Sequence, residues 1–272
     1  MTAIATHAAP TVRRRERFGA VASTNDVVRE WLAAGEPEIC AAFANEQTAG
    51  RGRSGRTWTA PAGRGLLVSL GFRPTWLSAD RTWRLAAIVS LAMADAAEEL
   101  AGLPAGTIGL KWPNDLVIAP AEGTVRKLGG VLGETDGLGT DDPRVVVGIG
   151  LNADWPDDAF PSELRATMTS LRAAAGDRTV DTRLLGERFL ARVEARARDL
   201  HEERFDGAEW ASRQVTTGRA IELALPDGGS ESVLATGMDA DTGALLVRDV
   251  TTGASDRAIV VGEIVHVRLA GL

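Results

Sequence analysis

"QTAGRGRSGRTW", residues 47–58, decides how the rest of the chain is read. Its Gly50-x-Gly52-x-x-Gly55 spacing matches a dinucleotide-binding turn, which needs a strand before it, a helix opening at it and an acidic residue about 20 positions on. "ICAAFA" (39–44) supplies a short apolar run that reads as a strand. No helix follows. Thr57, Trp58, Pro61 and Gly63 break any 3.6-residue period, and "LLVSLGF" (66–72) reads as another strand. The segment is therefore a glycine-rich loop between two strands, and the doubly wound reading fails on context.

Glycine lets backbone N–H groups turn toward a ligand. Arg51, Arg53 and Arg56 add planar forks of donors that match carboxylate or phosphate oxygens. One reading is an anion clamp that orders on its ligand and is mobile when empty, because its charges have no evident partner. The other is a solvated surface loop. An RNA-binding arginine-glycine tail fits poorly, since this copy is single, short and embedded between strands.

With 272 residues, the chain has room for one large or two modest domains. It is 44% hydrophobic and 25% charged, which suits a globular protein with a real core. The net charge of −7 argues against nucleic acid as the main partner. "RRRER" (13–17) reads as a solvated strand edge. No 18-residue apolar span or signal-peptide pattern is present, so a soluble, cytoplasmic protein without a membrane partner is expected. The single cysteine, Cys40, sits in an apolar run and reads as core, and three scattered histidines (His7, His201, His266) lack metal-ligand spacing. Of 30 basic residues only Lys111 and Lys127 are lysine. Where arginine has replaced nearly every lysine, a persisting ammonium points to a place that wants a compact charge rather than a wide planar one.

"ASTNDVVREWLAAG" (22–35) reads as a capped helix with Val27, Val28, Trp31 and Leu32 on one face. Capping explains one of Ser23, Thr24 and Asn25 and leaves polar groups spare for a ligand. A helix is expected over about 80–100, then strands at 107–112, 115–119, 127–135 and 144–153, with a hairpin turn at "PAEG" (120–123). "WPND" (112–115) interrupts the ladder, because proline lacks the donor, and re-aims Asn114 and Asp115. The segment 181–205 is helical, with Leu184, Leu185, Phe189, Leu190 and Val193 as its apolar stripe. From about Gly218 short alternating strands follow closely, with turns at 226–229 and 239–243, as in a small β-barrel. The expected plan is an α+β domain over 1–215 with a mixed sheet, then a β domain over 216–272.

"STN", "QTAGRGRSGRTW", "KWPND", "RKLGGVLGE" and "GIGLN", in this order and at these intervals, closely resemble the biotin–protein ligases. The resemblance implies a biotin/lipoate ligase-like catalytic domain followed by a small SH3-like β-barrel. It implies two chemical steps: biotin and ATP, with Mg²⁺, give biotinyl-adenylate, and a lysine of a biotin carboxyl carrier protein (the carrier domain of acyl-CoA or pyruvate carboxylases) then takes the biotin. By the same resemblance Arg51, Arg53 and Lys127 are catalytic. Ser23, Thr24, Asn25, Gln47, Gly50, Gly52, Gly129 and Gly130 join them around biotin. Arg53, Arg56, Trp58, Lys111, Asn114 and Asn152 face the nucleotide, although Trp58 also reads as an anchor for the loop base. Asp115 either helps place Mg²⁺ or braces the "WPND" kink. About 20 residues precede "STN", so the winged-helix region of the repressor members, and DNA binding with it, is not expected. A lipoate–protein ligase and a non-catalytic nucleotide-binding module are the alternatives.

Overall fold

A computed structural model describes residues 9–119, 124–224, 229–250, 255–260 and 263–267, the last group by its backbone. The turn expected at 120–123 and most of that at 226–229 lie outside these residues. The first unit runs β1 (Arg14–Val21), α1 (Thr24–Ala33), β2 (Cys40–Gln47), β3 (Gly65–Phe72), α2 (Trp83–Ala101), β4 (Ile108–Lys111), β5 (Asp115–Ile118), β6 (Arg126–Asp136), β7 (Arg144–Asn152), α3 (Leu171–Ala174), α4 (Thr182–His201) and α5 (Gly207–Ser212). Its strands form one mixed sheet in the order β1-β2-β3-β7-β6-β5-β4, with only β1 and β2 parallel. The arginine-rich β1 is an edge strand with mostly exposed side chains, as charged edges usually are.

β3 is buried at every residue because both faces of the sheet are covered. Leu66, Val68, Leu70 and Phe72 face a large core shared with α2 and α4. On the other face α1 lays Val28 and Leu32 over Cys40 and Ala42. Gly71 makes that approach possible: a Cβ there would lie 2.6 Å from the Cys40 sulfur and 2.7 Å from Val28. α2 ends at Gly102 in the left-handed region, where a residue without Cβ is favoured. On α4, Leu185, Phe189, Leu190 and Val193 are buried, but Leu184 is 37% exposed. Its position falls one residue outside the stripe, and the expectation for it is corrected.

Residues 213–215 run beside β4 in parallel: the Leu110 N–H donates to the Arg213 carbonyl and the Val215 N–H to the Leu110 carbonyl. The second sheet begins five residues later. It contains β8 (Ala220–Ala224), β9 (Ser230–Met238), β10 (Leu245–Asp249), β11 (Arg257–Ile259) and β12 (Glu263–Val267), in the order β11-β10-β9-β8-β12. β11 and β12 are only four residues apart in sequence, from Ile259 to Glu263, yet lie at opposite edges. Four residues span at most about 14 Å, whereas the edges of a flat five-stranded sheet lie about 19 Å apart. The sheet must therefore curl toward closure, as an SH3-like barrel does. Its core is Ile221, Leu223, Val233, Ala235, Leu245 and Val247, completed by Trp112 from the first unit. Among the described residues no helix is long and apolar enough to cross a membrane.

Candidate active site

One face of β7 carries Val146, Gly148, Gly150 and Asn152, since side chains two residues apart share a face. The two glycines form a floor. A Cβ on Gly148 would lie 2.1 Å from Oδ1 of Asn25, and one on Gly150 would lie 2.5 Å from the Trp58 indole. The absence of side chains lets the N-terminus of α1 and the loop after β2 close over the sheet.

Ser23, Thr24 and Asn25 are all at least 95% buried. Ser23 occupies the N-cap position but its side chain makes no capping bond. Instead the Thr24 N–H and hydroxyl both donate to Gln47 Oε1, at 2.7 and 2.9 Å. The buried Ser69 hydroxyl lies 2.6 Å from both Thr24 Oγ1 and Asn25 Oδ1, and its one proton serves a single acceptor at a time. The Asn25 amide nitrogen is buried with no hydrogen-bond partner. Such a group calls for a bound acceptor.

The loop carries more backbone hydrogen bonding than its glycines suggest. It forms a small hairpin in which the Gly52 N–H donates to the Arg56 carbonyl and the Trp58 N–H to the Gly50 carbonyl. Gly50 is required there, because a Cβ would lie 2.4 Å from the Trp58 carbonyl. Ser54 and Gly55 take the left-handed conformation at its tip. Arg51 grips Asp26 with both terminal nitrogens at 2.8 Å and reaches Glu134 at 3.2 Å. This guanidinium holds the Asp26 carboxyl below the usual carboxylate range. The expectation that the loop's charges lack partners is corrected: Arg51 anchors the hairpin to α1 and β6. Arg53 reaches the side-chain oxygen of Asn114 at 3.5 Å.

Across the cleft, Lys127 Nζ lies 2.6 Å from Asp115 Oδ1 and 5.6 Å from the centre of the Trp58 ring. Its backbone is fixed on both sides by Thr167 and Thr169. Asn114 is tied twice to Val131, through its amide nitrogen and its carbonyl, each at 2.8 Å. The α1 cluster, Gln47, Arg51, Gly52, Arg53, Arg56, Trp58, Lys111, Asn114, Asp115, Lys127 and Gly130 all line one cavity of about 410 Å³. It opens beneath the loop into a wider cleft of about 1080 Å³, which Gly50 lines and the 242–243 turn of the second unit borders.

Two expected positions line neither the inner cavity nor the wider cleft. Gly129 faces the other way, where a Cβ would lie 2.7 Å from the Gly150 carbonyl, so its role in the structure is close strand packing. Asn152 is fully buried at the end of the glycine face and donates to the Thr169 carbonyl at 3.0 Å, while its Oδ1 has no partner among the described residues. Sequence reasoning missed Ser69, Asp26, Glu134, Trp112 and the floor glycines. Only the last left a signal, since the glycines of "GIGLN" are spaced by two and so fall on one face.

The metal expectation finds little support in the donor set. Asp115 is already paired with Lys127, and the described residues contain no group of three His, Cys, Asp or Glu side chains able to hold a cation.

The profile of the biotin/lipoate A/B protein ligase family matches residues 18–152. A biotin–[acetyl-CoA-carboxylase] ligase of Mycobacterium tuberculosis is 32% identical over 230 residues, covering 83% of this chain and 78% of the relative. A biotin protein ligase from Leishmania major in complex with biotinyl-5-AMP superposes with a TM-score of 0.63 at 26% identity, over 91% of this chain and 99% of that one. A biotin protein ligase from Aquifex aeolicus in complex with biotin and ATP agrees in fold, with a TM-score of 0.74 at 24% identity over 94% and 99% of the two chains. With the motifs gathered on one cleft and this coverage of a relative's length, the chain belongs to the biotin protein ligases of the biotin/lipoate A/B protein ligase family.

Proposed function

We propose that this protein activates biotin with ATP to biotinyl-adenylate and transfers it to a lysine of a biotin carboxyl carrier protein, in the cytoplasm. The observation that carries the reading is a single cavity with neutral donors and acceptors at one end and fixed cations at the other. Ser23, Thr24, Asn25 and Gln47 form the neutral end. Its unpartnered Asn25 amide suits a urea carbonyl. Arg53, Lys111 and Lys127 form the charged end.

The chemical obstacle is charge. A carboxylate must approach the α-phosphate of a polyanion, and the transition state gathers charge on the phosphoryl oxygens. Fixed cations offset that repulsion best where water is excluded. Lys127 would exchange Asp115 for the ligand oxygens, and Asp115 keeps the ammonium aimed until then. Arg53 would cover the phosphate from the hairpin, and closure shields a hydrolysable anhydride from water. Trp58 rests on Gly150 with its indole N–H unpartnered, and a swing off that floor would give adenine a stacking plane. The unpartnered Oδ1 of Asn152 on the same face suits the adenine amino group. Any Mg²⁺ would arrive held by the phosphates, as this ion usually is.

Incubation with ATP and biotin, then mass spectrometry of the bound small molecule, tests the reading. Biotinyl-adenylate is expected. Lipoyl-adenylate in a parallel reaction, with no biotinyl product, would overturn it in favour of a lipoate ligase.

A further inference from the structure

We infer that Trp112 is a positioning residue through which the C-terminal β unit holds the nucleotide side of the cleft; this rests on the proposed adenylation. Trp112 belongs to the first unit by sequence, yet it is 4% exposed and packs in the core of the second sheet with Ile221, Leu223, Val233 and Leu245. Both of its N–H groups are used there. Its backbone N–H donates to the fully buried Thr216 hydroxyl at 3.1 Å, and its indole N–H donates to the Gly243 carbonyl at 3.1 Å. Gly243 is itself clamped from behind: its φ is +74°, and a Cβ there would lie 2.7 Å from the Trp83 ring of α2.

The neighbours of Trp112 reach the chemistry. Lys111 precedes it in the cleft wall. Two residues later Asn114 accepts from Arg53 of the hairpin, and one further Asp115 pairs with Lys127. The short turn between β4 and β5 is thus held at its start by the second unit and delivers groups to Arg53 and Lys127 at its end. The competing account is that the turn needs no such support, because Asn114 is already tied twice to Val131 and Asp115 sits opposite Gly130. Those bonds secure the downstream end. The upstream end has Thr216 and Gly243, and a large ring buried in another unit's core fixes its position as no surface turn could.

Leu245→Ala in the full chain tests this from within the second core, at a residue outside the cleft, and Trp112→Leu tests it directly. Hydrogen exchange read by mass spectrometry should accelerate at least tenfold at residues 114–118 and 127–131 in both variants. Residues 24–33 and 40–47 should stay within twofold of the parent. Adenylate formation should fall about tenfold while biotin affinity, set at the α1 end, changes less than twofold. Acceleration confined to 220–249 would show that the turn stands without the second unit. Equal acceleration throughout both sheets would reduce the effect to general destabilisation. Either result overturns the inference. Exchange requires no turnover, so a parent chain that makes no biotinyl-adenylate would sink the functional reading and leave this test intact.

Discussion

Arg51 and Asp26 meet as a fork on a fork, with Nη1 and Nη2 of the arginine each 2.8 Å from one carboxylate oxygen. The pair joins the hairpin to the third residue of α1, next to the amide–hydroxyl cluster. Glu134 adds a second acceptor for Arg51 and binds Arg29 as well. Closure of the hairpin and placement of the α1 end are therefore linked through one guanidinium.

Weakening that anchor should free the hairpin. The ion pair is more than a third exposed on each side, so after screening by solvent it contributes about 1 kcal/mol or less. Asp26→Asn with Glu134→Gln should speed tryptic cleavage after Arg51, Arg53 and Arg56 roughly fivefold, from the same free-energy scale. Biotin with ATP should slow cleavage in both forms. The Asp26 carboxyl is depressed by Arg51, so its contribution is fully present above the ordinary carboxylate pKa of about 3.9 and is lost as pH falls through the lower native value. Cleavage between pH 6 and 8 should show no Asp26-dependent trend. Unchanged cleavage in the double variant would mean that Arg51 anchors nothing.

Lys127→Ala should block chemistry without unfolding the chain. The ammonium is about one-third exposed and pairs with one carboxylate, so its loss costs the fold little. Removing a cation from developing phosphoryl charge costs about 10²–10³ in rate, on the scale of other electrostatic donors. Lys127→Arg should rescue poorly, because a broad planar guanidinium does not reproduce a compact ammonium held 2.6 Å from Asp115. Burst-phase measurement of adenylate, beside a melting curve, separates the two effects. Adenylate formation at the parent rate would remove Lys127 from the mechanism.

The sheet order and the second unit's curl follow from contacts between segments far apart in sequence, which local pattern does not encode. The strands at 39–44, 66–72 and 144–153 were legible because strong apolar runs bounded by glycine and proline leave few alternatives. Trp112 was not. Its local pattern reads as the end of a strand, and only tertiary structure reveals that it fills the core of a unit beginning a hundred residues later. The site divided along the same line. Glycines, arginines and the rare lysines could be picked out by chemical type, whereas Asp26 and Glu134 are ordinary surface acids until the fold brings Arg51 between them. Gly129 shows the converse error, since two adjacent glycines in a strand face opposite sides and only Gly130 lines the cavity.

Cys40 should behave as a buried hydrophobe. It has no exposed surface, and burial pushes its thiol up to about 11. A free thiol titrates near about 8.5. The stability linked to the protonated form is therefore complete below that value and is lost as pH rises through about 11. Native protein at pH 8 should resist an aromatic disulfide reagent until denaturant is added. Cys40→Ala should flatten the fall in unfolding midpoint between pH 9 and 11. Rapid native labelling would show that α1 lifts off the sheet far more readily than its packing implies.

Gly148→Ala should damage the α1 end of the cleft in a way that a matched glycine does not. The added Cβ would lie 2.1 Å from Asn25 Oδ1, with the rest of that amide at 3.0–3.3 Å, so either Asn25 changes rotamer or the start of α1 moves. Gly148 is extended rather than left-handed, and the penalty is steric instead of backbone strain. Overpacking of this kind costs about 1–3 kcal/mol, and with Asn25 displaced biotin affinity should fall at least tenfold, about 1.4 kcal/mol. Gly133→Ala on the neighbouring strand β6 is the control, because nothing lies within 4 Å of its Cβ position. Calorimetric titration of biotin into both variants decides the matter. If Gly148→Ala binds like Gly133→Ala, the α1 cluster can yield without loss, and Asn25 does not set the ligand's position.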